Sequence, residues 1–289
     1  MKPARFEYYC PRTVDEAAGL LARYGDEAKV LAGGQSLVPL MNMRLARPAI
    51  VIDINRIDAL AYLHEQDGAL LIGALTRQRA AERSPVVAER CPILRDALHL
   101  VGHTQIRNRG TIGGSIAHAD PAAELTAILL ALGGEVAARS ATGTRTIAAA
   151  DLFVTYLTTS LDPRELITEV RIPIIARGAG WSWMEISRRH GDFALAGVGV
   201  ILALRGGAVA EARIGLTGVG ATPVRATVAE QLLAGQQPSE SLWDAAATAV
   251  QAAVTPDGDI HASAEYRKHV AGVLTRRALA EAHSRANAA

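Results

Sequence analysis

Two segments of this chain combine a pair of glycines with amide or hydroxyl side chains, a combination suited to binding phosphate. The first runs from Val30 to Leu37 (VLAGGQSL), where a short apolar stretch leads into the glycines. The second runs from Thr111 to Ser115 (TIGGS). Glycine permits positive φ and a close approach of the backbone to a ligand, and successive free N–H groups form a concave site for an anion such as a pyrophosphate. We therefore expect positive φ and free backbone donors in both segments.

The spacing of the two segments, about 80 residues apart in one half of the chain, predicts two sides of a single phosphate clamp. Each segment alone is also compatible with an ordinary tight turn, and neither has the G-x-G-x-x-G spacing of a Rossmann site. Glu124 follows in the first turns of a predicted helix, where it either stabilises the positive helix end or accepts hydrogen bonds from the ligand. The polar loop from Arg188 to Asp192 is likewise consistent with a solvated turn or with a ligand contact.

The residues that a metal site, a serine hydrolase or an iron–sulfur cluster would require are missing from the sequence. His99 and His103 have the i,i+4 spacing of two helical metal ligands, but the glutamate of an H-E-x-x-H site is missing and Gly102 is expected to end the helix. There is no G-x-S-x-G nucleophile elbow. The two cysteines, Cys10 and Cys91, are too few for a [2Fe–2S] cluster, which ordinarily needs four thiolates. We predict no metal ligand and no catalytic acid or base in this chain.

The composition predicts a cytoplasmic protein with a large core. Of 289 residues 49% are hydrophobic, enough for two domains or one domain with an appendage. Thirty basic and 29 acidic residues give a net charge of +1, and hence no electrostatic reason to expect nucleic acid or an anionic membrane. No apolar run approaches the roughly 18 residues needed to span a bilayer, and the first residues lack the apolar region of a secretory signal.

The elements of the first half alternate between helix and strand. A capping box of Thr13 and Glu16 starts a helix that Gly25 ends. Short strands are expected at 29–32, 50–54 and 69–73, and prolines 85 and 92 each begin a short helix. Asp120 as N-cap and Pro121 as first helical residue predict a further helix, which ends at Gly133 and Gly134.

The second half has a different pattern. Three β-rich stretches, from Trp181 to Arg188, from Leu195 to Leu204 and from Val209 to Val219, predict an antiparallel meander. From Thr227 onward the chain is alanine-rich and helical. The expected fold class is therefore α+β, with a nucleotide-binding first half and a small three-stranded sheet that carries helices. The boundary is expected between Ile174 and Gly180.

Four segments in order carry a resemblance to a known family. Ala32 to Leu40, Ile106 to Pro121, Leu166 to Pro173 and Ser187 to Ala194 resemble the medium, flavin-binding subunits of the xanthine dehydrogenase and carbon monoxide dehydrogenase family of molybdenum hydroxylases. The likeness extends over essentially the whole chain. It implies a two-subdomain FAD-binding region of the PCMH, or vanillyl-alcohol-oxidase-like, type over residues 1–175, with subdomains at about 1–55 and 56–175. Residues 176–289 would form a C-terminal domain of the carbon monoxide dehydrogenase flavoprotein type.

The resemblance also assigns cofactor contacts. Both glycine segments would contact the pyrophosphate and ribityl chain of FAD, and the loop from Arg188 to Asp192 would approach the isoalloxazine ring. Val101 would touch the ring region, Glu124 would be the acidic contact and Ile167 the apolar one. The assigned residues are Val30, Leu31, Ala32, Gly33, Gly34, Gln35, Ser36, Leu37, Val101, Thr111, Ile112, Gly113, Gly114, Ser115, Glu124, Ile167, Arg189 and Asp192. Xanthine dehydrogenases carry a FAD-contacting lysine where this chain has Met184, so their reduction of NAD is not implied here.

The implied function is electron transfer within a larger complex. A large partner subunit would hold the molybdenum cofactor, and a small partner would carry two [2Fe–2S] clusters. This chain would receive their electrons through FAD and pass them to an external acceptor, in a dimer of heterotrimers. Two alternatives stay open, a flavin-free scaffold subunit and a stand-alone flavin oxidoreductase of the same fold. The substrate is not implied: carbon monoxide, a purine, an N-heterocycle and an aldehyde are all compatible.

Overall fold

The structure is a computed structural model that describes residues 1–288. The first part contains β1 (Glu7–Tyr9), α1 (Val14–Tyr24), β2 (Ala28–Leu31), α2 (Leu37–Asn42), β3 (Ile50–Asp53), β4 (Leu63–Gln66), β5 (Ala69–Gly73), α3 (Gln78–Glu82), α4 (Pro85–Arg90), α5 (Pro92–Leu100), α6 (Thr104–Arg109), α7 (Ile112–His118), α8 (Glu124–Leu132), β6 (Glu135–Ser140), β7 (Gly143–Ala148), α9 (Ala149–Leu152), β8 (Phe153–Thr155), β9 (Thr158–Thr159) and β10 (Leu166–Pro173). The second part contains β11 (Gly180–Ser187), β12 (Ala194–Arg205), β13 (Ala208–Thr217), β14 (Val224–Arg225), α10 (Thr227–Leu233), α11 (Glu240–Ala253) and α12 (Ala264–Ala288). Within residues 1–288, no helix has both the length and the apolar character needed to cross a membrane.

A small parallel sheet of order β1-β3-β2 forms the first layer of the chain. Helix α1 covers it with Ala17 and Leu21, which pack against Ile52. The predicted capping box is confirmed: the Thr13 hydroxyl accepts the Glu16 N–H at 3.1 Å, while the Glu16 carboxylate reaches the N–H of the residue before Thr13, at 2.7 Å. Because β2 and β3 are parallel, their carboxyl ends lie at one edge. The first glycine segment therefore begins beside the residues that follow β3.

A five-stranded sheet of order β4-β5-β10-β6-β7 follows, with antiparallel pairing throughout. Helices α5, α7 and α8 pack against it, and their apolar residues share one core with the central strands. Helix α8 is buried almost all round, which explains why its sequence is apolar on every face. Gly133 ends α8 in the left-handed conformation, with φ of 65°, as predicted.

The helix predicted to start at Asp120 starts later, at Glu124. Asp120 does not cap it, because its carboxylate accepts the N–H of Ala122 at 2.8 Å and so closes a turn. The carbonyls of Pro121 and Ala123 both accept the hydroxyl of Thr217 on β13, at 2.7 and 2.9 Å. These contacts hold residues 121–123 against the second half of the chain, which a sequence pattern does not indicate.

The C-terminal sheet has four strands rather than the three predicted, in the order β11-β12-β13-β14. The predicted meander is confirmed, and the two-residue strand β14 adds to it by pairing with Gly215 and Leu216. Two residues are too few for a recognisable alternation, so the sequence did not reveal this strand. Helices α10, α11 and α12 share a core with one face of the sheet. Helix α8 packs on the other face, where a Cβ on Gly215 would lie only 2.6 Å from the Ala127 carbonyl oxygen.

Gly180→Ala should destabilise the chain. A Cβ at Gly180 would lie 1.8 Å from the carbonyl oxygen of Ala282 on α12, a backbone atom that moves only if the helix moves. We expect a loss of about 1–3 kcal/mol in the free energy of unfolding, measured by urea denaturation. Gly143→Ala is the matched control, since nothing lies within 4 Å of its added Cβ, and it should change stability by less than about 0.5 kcal/mol. Equal stability of the two variants would show that α12 does not dock as described.

Candidate functional site

The first glycine segment forms a loop whose backbone donors are free. It links the end of β2 at Leu31 to the start of α2 at Leu37. Among the hydrogen bonds of residues 1–288, none is donated by the five consecutive backbone N–H groups from Gly33 to Leu37. Gly34 takes a φ of 73°, as expected for a turn that exposes successive N–H groups. This loop therefore has the free backbone donors that its sequence predicted.

The second glycine segment differs from its prediction. It is no loop but the start of α7, with the Thr111 hydroxyl accepting the Gly114 N–H at 3.1 Å. The N–H groups of Ile112 and Gly113 donate to the carbonyls of Thr76 and Ala74, both at 3.0 Å. The N–H of Ser115 donates to the Thr111 carbonyl. Because the chain itself uses these donors, the expectation of free backbone N–H groups in this segment was wrong.

The glycines bring two parts of the chain together. A Cβ on Gly33 would lie 2.5 Å from the Arg109 carbonyl oxygen and 2.8 Å from the Gly110 Cα. A Cβ on Gly113 would similarly lie 2.5 Å from the Cβ of Ala74. Of the four glycines in the two segments, only Gly34 has positive φ, so the prediction of positive φ in both segments was wrong for the second. The close approach permitted by Gly33 is between the first glycine segment and the two residues just before the second segment.

A hydrogen-bonded chain ties the first segment to Arg109 at a second point. The side-chain amide of Asn55 donates to the Ala32 carbonyl at 2.7 Å. Its oxygen accepts a bond from Arg77, also at 2.7 Å, and Arg77 in turn donates to the Arg109 carbonyl. The Asp53 carboxylate accepts hydrogen bonds from the backbone N–H and the side-chain amide of Asn55, at 2.9 and 2.6 Å. Asn55 and Arg77 were not predicted as site residues, because the contacts that define their role join distant parts of the sequence.

A cavity of about 310 Å³ opens beside this junction. Its lining is Leu31, Gly33, Gly34, Gln35, Val38, Pro39 and Arg109. Arg109 is the only charged residue of that lining, and it was not among the predicted site residues. The sequence did contain a signal for it, since this cation lies two positions before the start of the second glycine segment.

Glu124 lies at the junction between α8 and the C-terminal sheet. Glu124 is buried, with 7% of its surface exposed. Burial, followed by the negative charge of Glu185 on β11, raises the pKa of Glu124 to about 8, and Asp120 adds to this rise. A hydrogen bond from the backbone N–H of Glu124 and the positive charge of Arg107 act in the opposite direction. Burial also raises the pKa of Glu185, partly offset by the Trp183 indole N–H, which donates at 3.0 Å.

The polar loop from Arg188 to Asp192 lies at a second cavity, of about 430 Å³. Arg189 and Asp192 approach each other within 3.4 Å. The ring of His190 stacks on that of His103, with centroids 5.9 Å apart, so the loop reaches the segment just after α5. Phe193, 68% exposed, also lines this cavity. The loop is therefore more than a solvated turn, and it joins the two halves of the chain.

The remaining predicted residues are dispersed. Val30 packs against the core of the parallel sheet, whereas the side chains of Ile112 and Ile167 lie in the main core. Val101 follows α5, and its carbonyl accepts a bond from Arg107 at 2.9 Å. Neither cavity is lined by any of these four side chains. Within residues 1–288, no three His, Cys, Asp or Glu side chains form a group that could hold a metal ion.

Comparison with known proteins gives a consistent answer for both halves of the chain. Residues 4–175 match the family described as the FAD binding domain in molybdopterin dehydrogenase. Residues 181–282 match the family described as the CO dehydrogenase flavoprotein C-terminal domain. The alpha subunit of the 6-hydroxypseudooxynicotine dehydrogenase complex of Paenarthrobacter nicotinovorans is 44% identical over 99% of this chain and 97% of its own length.

Two solved structures have the same fold along their whole length. Carbon monoxide dehydrogenase from Hydrogenophaga pseudoflava matches with a TM-score of 0.96 and 40% identity, over 99% of both chains. Quinoline 2-oxidoreductase from Pseudomonas putida 86 matches with a TM-score of 0.94 and 35% identity, again over 99% of both chains. The chain therefore belongs to the FAD-binding subunits of the molybdenum hydroxylases, a family of oxidoreductases. The fold class, the flavin and the family predicted from the sequence are confirmed.

Gly33→Ala should weaken FAD binding. The added Cβ would meet backbone atoms of Arg109 and Gly110, so the two segments must separate and the cavity beside them must change shape. We expect at least about tenfold weaker binding, equivalent to about 1.4 kcal/mol, measured by titration of the purified chain with FAD. Gly19→Ala in α1 is the control, since its Cβ meets nothing within 4 Å. Wild-type affinity in Gly33→Ala would contradict the role given to this contact.

Glu124→Gln should remove a pH dependence of stability. The pKa of Glu124 is raised in the folded chain, so folding is favoured by protonation. Its contribution is fully present below the ordinary glutamate pKa and is lost as pH rises towards about 8. The wild-type free energy of unfolding should thus fall by at least about 1 kcal/mol more than that of Glu124→Gln between pH 5 and 9, without added FAD. Glu27→Gln, at an exposed position far along the chain, should keep the wild-type profile. Parallel profiles for wild type and Glu124→Gln would contradict the prediction.

Proposed function

We propose that this chain is the electron-transfer subunit of a three-subunit molybdenum hydroxylase. It receives electrons from [2Fe–2S] clusters of a small partner subunit and passes them, through its FAD, to an external acceptor. The observation that carries the proposal is a loop of five free backbone N–H groups beside a cavity whose only charged lining residue is an arginine. Such a loop fits the phosphates of a dinucleotide.

The residues present fit FAD. The loop from Gly33 to Leu37 supplies neutral donors. The Ser115 hydroxyl is only half-buried and has no partner among the described residues, so it is available to a ligand. We propose that both glycine segments, with Val30, Val101, Glu124, Ile167, Arg189 and Asp192, surround the cofactor. FAD supplies reversible uptake of one or two electrons, and the chain's own residues bind it, orient it and set its surroundings.

The cysteine content supports the need for partners. Cys10 and Cys91 are both free, and a [2Fe–2S] cluster ordinarily requires four thiolates. Any [2Fe–2S] cluster that delivers electrons to this chain therefore lies on another polypeptide. We propose a large molybdenum-cofactor subunit and a small iron–sulfur subunit, arranged as a dimer of heterotrimers. The free thiols also support a cytoplasmic location, where cysteines stay reduced.

We propose the domain division at residue 175, with subdomains at about 1–55 and 56–175. The parallel sheet and the five-stranded sheet have separate cores, and the C-terminal sheet with its helices has a third, which supports this division. Residues 176–289 would close over the cofactor. The loop from Arg188 to Asp192 supports this arrangement, because its His190 already contacts His103 of the first part.

The substrate is proposed to be recognised by the large partner. Closely similar chains belong to enzymes named for 6-hydroxypseudooxynicotine and quinoline, two N-heteroaromatic compounds, and for carbon monoxide, a diatomic gas. A chain whose fold persists across such substrates is unsuited to distinguishing among them. Activity towards a given substrate should therefore follow the large subunit.

The test is a native purification with an affinity tag on this chain alone, from cells that express it at its natural level. We expect one FAD per copy of this chain, measured in the supernatant after acid precipitation, together with a large molybdenum-containing subunit and a small iron–sulfur subunit. A complex of three subunits that contains molybdenum and iron but no FAD would instead identify a flavin-free scaffold. A chain that emerges alone with FAD and oxidises a substrate unaided would identify a stand-alone flavin oxidoreductase.

A further inference from the structure

Arg109 has a fixed backbone and a free side chain. Its carbonyl oxygen accepts a bond from Arg77 and lies against Gly33, so its position relative to the first glycine segment is set. Its side chain is exposed and lines the 310 Å³ cavity. Among the described residues, no carboxylate pairs with its guanidinium and no hydrogen bond engages it. Because the backbone of Arg109 is fixed and its guanidinium is unpaired, the side chain is suited to binding an anionic ligand.

The charges around the cavity are positive in sum. Arg77 and Arg109 lie close enough that the charge of Arg109, after burial, lowers the pKa of Arg77. Asp53 is the acidic group nearby, and both its oxygens are engaged, one by Asn55 and the other by Tyr8 at 2.7 Å. Burial raises the pKa of Asp53, but these hydrogen bonds and the charge of Arg109 lower it overall, so the group is a carboxylate at neutral pH. One unit of positive charge is left unbalanced.

Arg77 is not available to a ligand in the same way. Its guanidinium already donates to Asn55 and to the Arg109 carbonyl, and it does not line the cavity. The other donors at the cavity are neutral backbone N–H groups. A diphosphate carries formal negative charge that neutral donors alone do not balance. The one group that can do so here is the guanidinium of Arg109, whose fork matches phosphate oxygens in geometry.

We propose that Arg109 pairs with the diphosphate of the cofactor and thereby determines the preference of this site for a dinucleotide over a nucleoside. This inference rests on the proposed FAD site and adds a residue to it. A competing explanation is that Arg109 only stabilises the carboxyl end of α6, where a cation is favourable. The two explanations differ in what the side chain does to ligand affinity and to stability.

The experiment compares ADP with adenosine, which differ by the diphosphate alone. Both are titrated calorimetrically into the full-length, flavin-depleted chain, followed by FAD. In Arg109→Gln, affinity for ADP and FAD should fall about tenfold or more, whereas affinity for adenosine should be unchanged. Arg109→Lys keeps the charge without the fork and should lose less than Arg109→Gln. Raising the salt concentration should weaken ADP binding more in the wild type than in Arg109→Gln.

The matched control is Arg205→Gln, which removes one exposed positive charge at the distal end of the C-terminal sheet and should bind all three ligands as the wild type does. Thermal unfolding without ligand should be alike for the wild type and Arg109→Gln, since a stabilising role at α6 would lower the melting temperature of the variant. Unchanged ADP affinity, or an equal loss for ADP and adenosine, would overturn the role of Arg109 and leave the FAD site standing. Failure of the wild type to bind either FAD or ADP would overturn the proposed function itself.

Discussion

The contact between Gly33 and the backbone of Arg109 and Gly110 is the constraint on which the site depends. No side chain fits at Gly33, because its Cβ would lie 2.5 Å from a carbonyl oxygen. The contact brings the loop after β2 against the residues that precede α7. The cavity, the free N–H groups and the guanidinium of Arg109 meet only because these two backbones touch. A larger residue at this position would separate the donors from the cation.

Polar side chains hold this junction without using the donors of the loop. Asn55 binds the Ala32 carbonyl, and Arg77 binds both Asn55 and the Arg109 carbonyl. These bonds engage carbonyl oxygens, so the N–H groups from Gly33 to Leu37 remain available to a ligand. The second segment differs, because its N–H groups bind the chain and fasten α7 to the residues after β5. The first segment therefore has free backbone donors, whereas the second segment uses its donors to bind other parts of the chain.

The C-terminal sheet is joined to this site through α8. Thr217 binds the carbonyls of Pro121 and Ala123, so the sheet holds the turn from which α8 starts. Glu124 consequently lies between the two halves, near Glu185 on β11, and burial there raises its pKa. The loop from Arg188 to Asp192 adds a second link at His103. The surroundings of Glu124 thus depend on both halves of the chain.

The sequence by itself determined the local elements, the family and the free backbone donors of the first glycine segment. Thr13 as a cap and the end of α8 at Gly133 follow from interactions within a few residues. The C-terminal meander follows from apolar, β-rich stretches that short turns separate, which a linear pattern also records. The tertiary structure alone decided the rest. Asp120 closes a turn instead of capping a helix because the hydroxyl of Thr217, 97 positions later, binds the carbonyls of Pro121 and Ala123 and holds this turn in place. Gly113 and Gly114 lie in a helix whose donors bind other parts of the chain, although their sequence resembles that of the loop at Gly33. Asn55, Arg77 and Arg109 acquire their roles from contacts between segments separated by 22 to 76 positions, a distance over which no residue pattern specifies which groups meet.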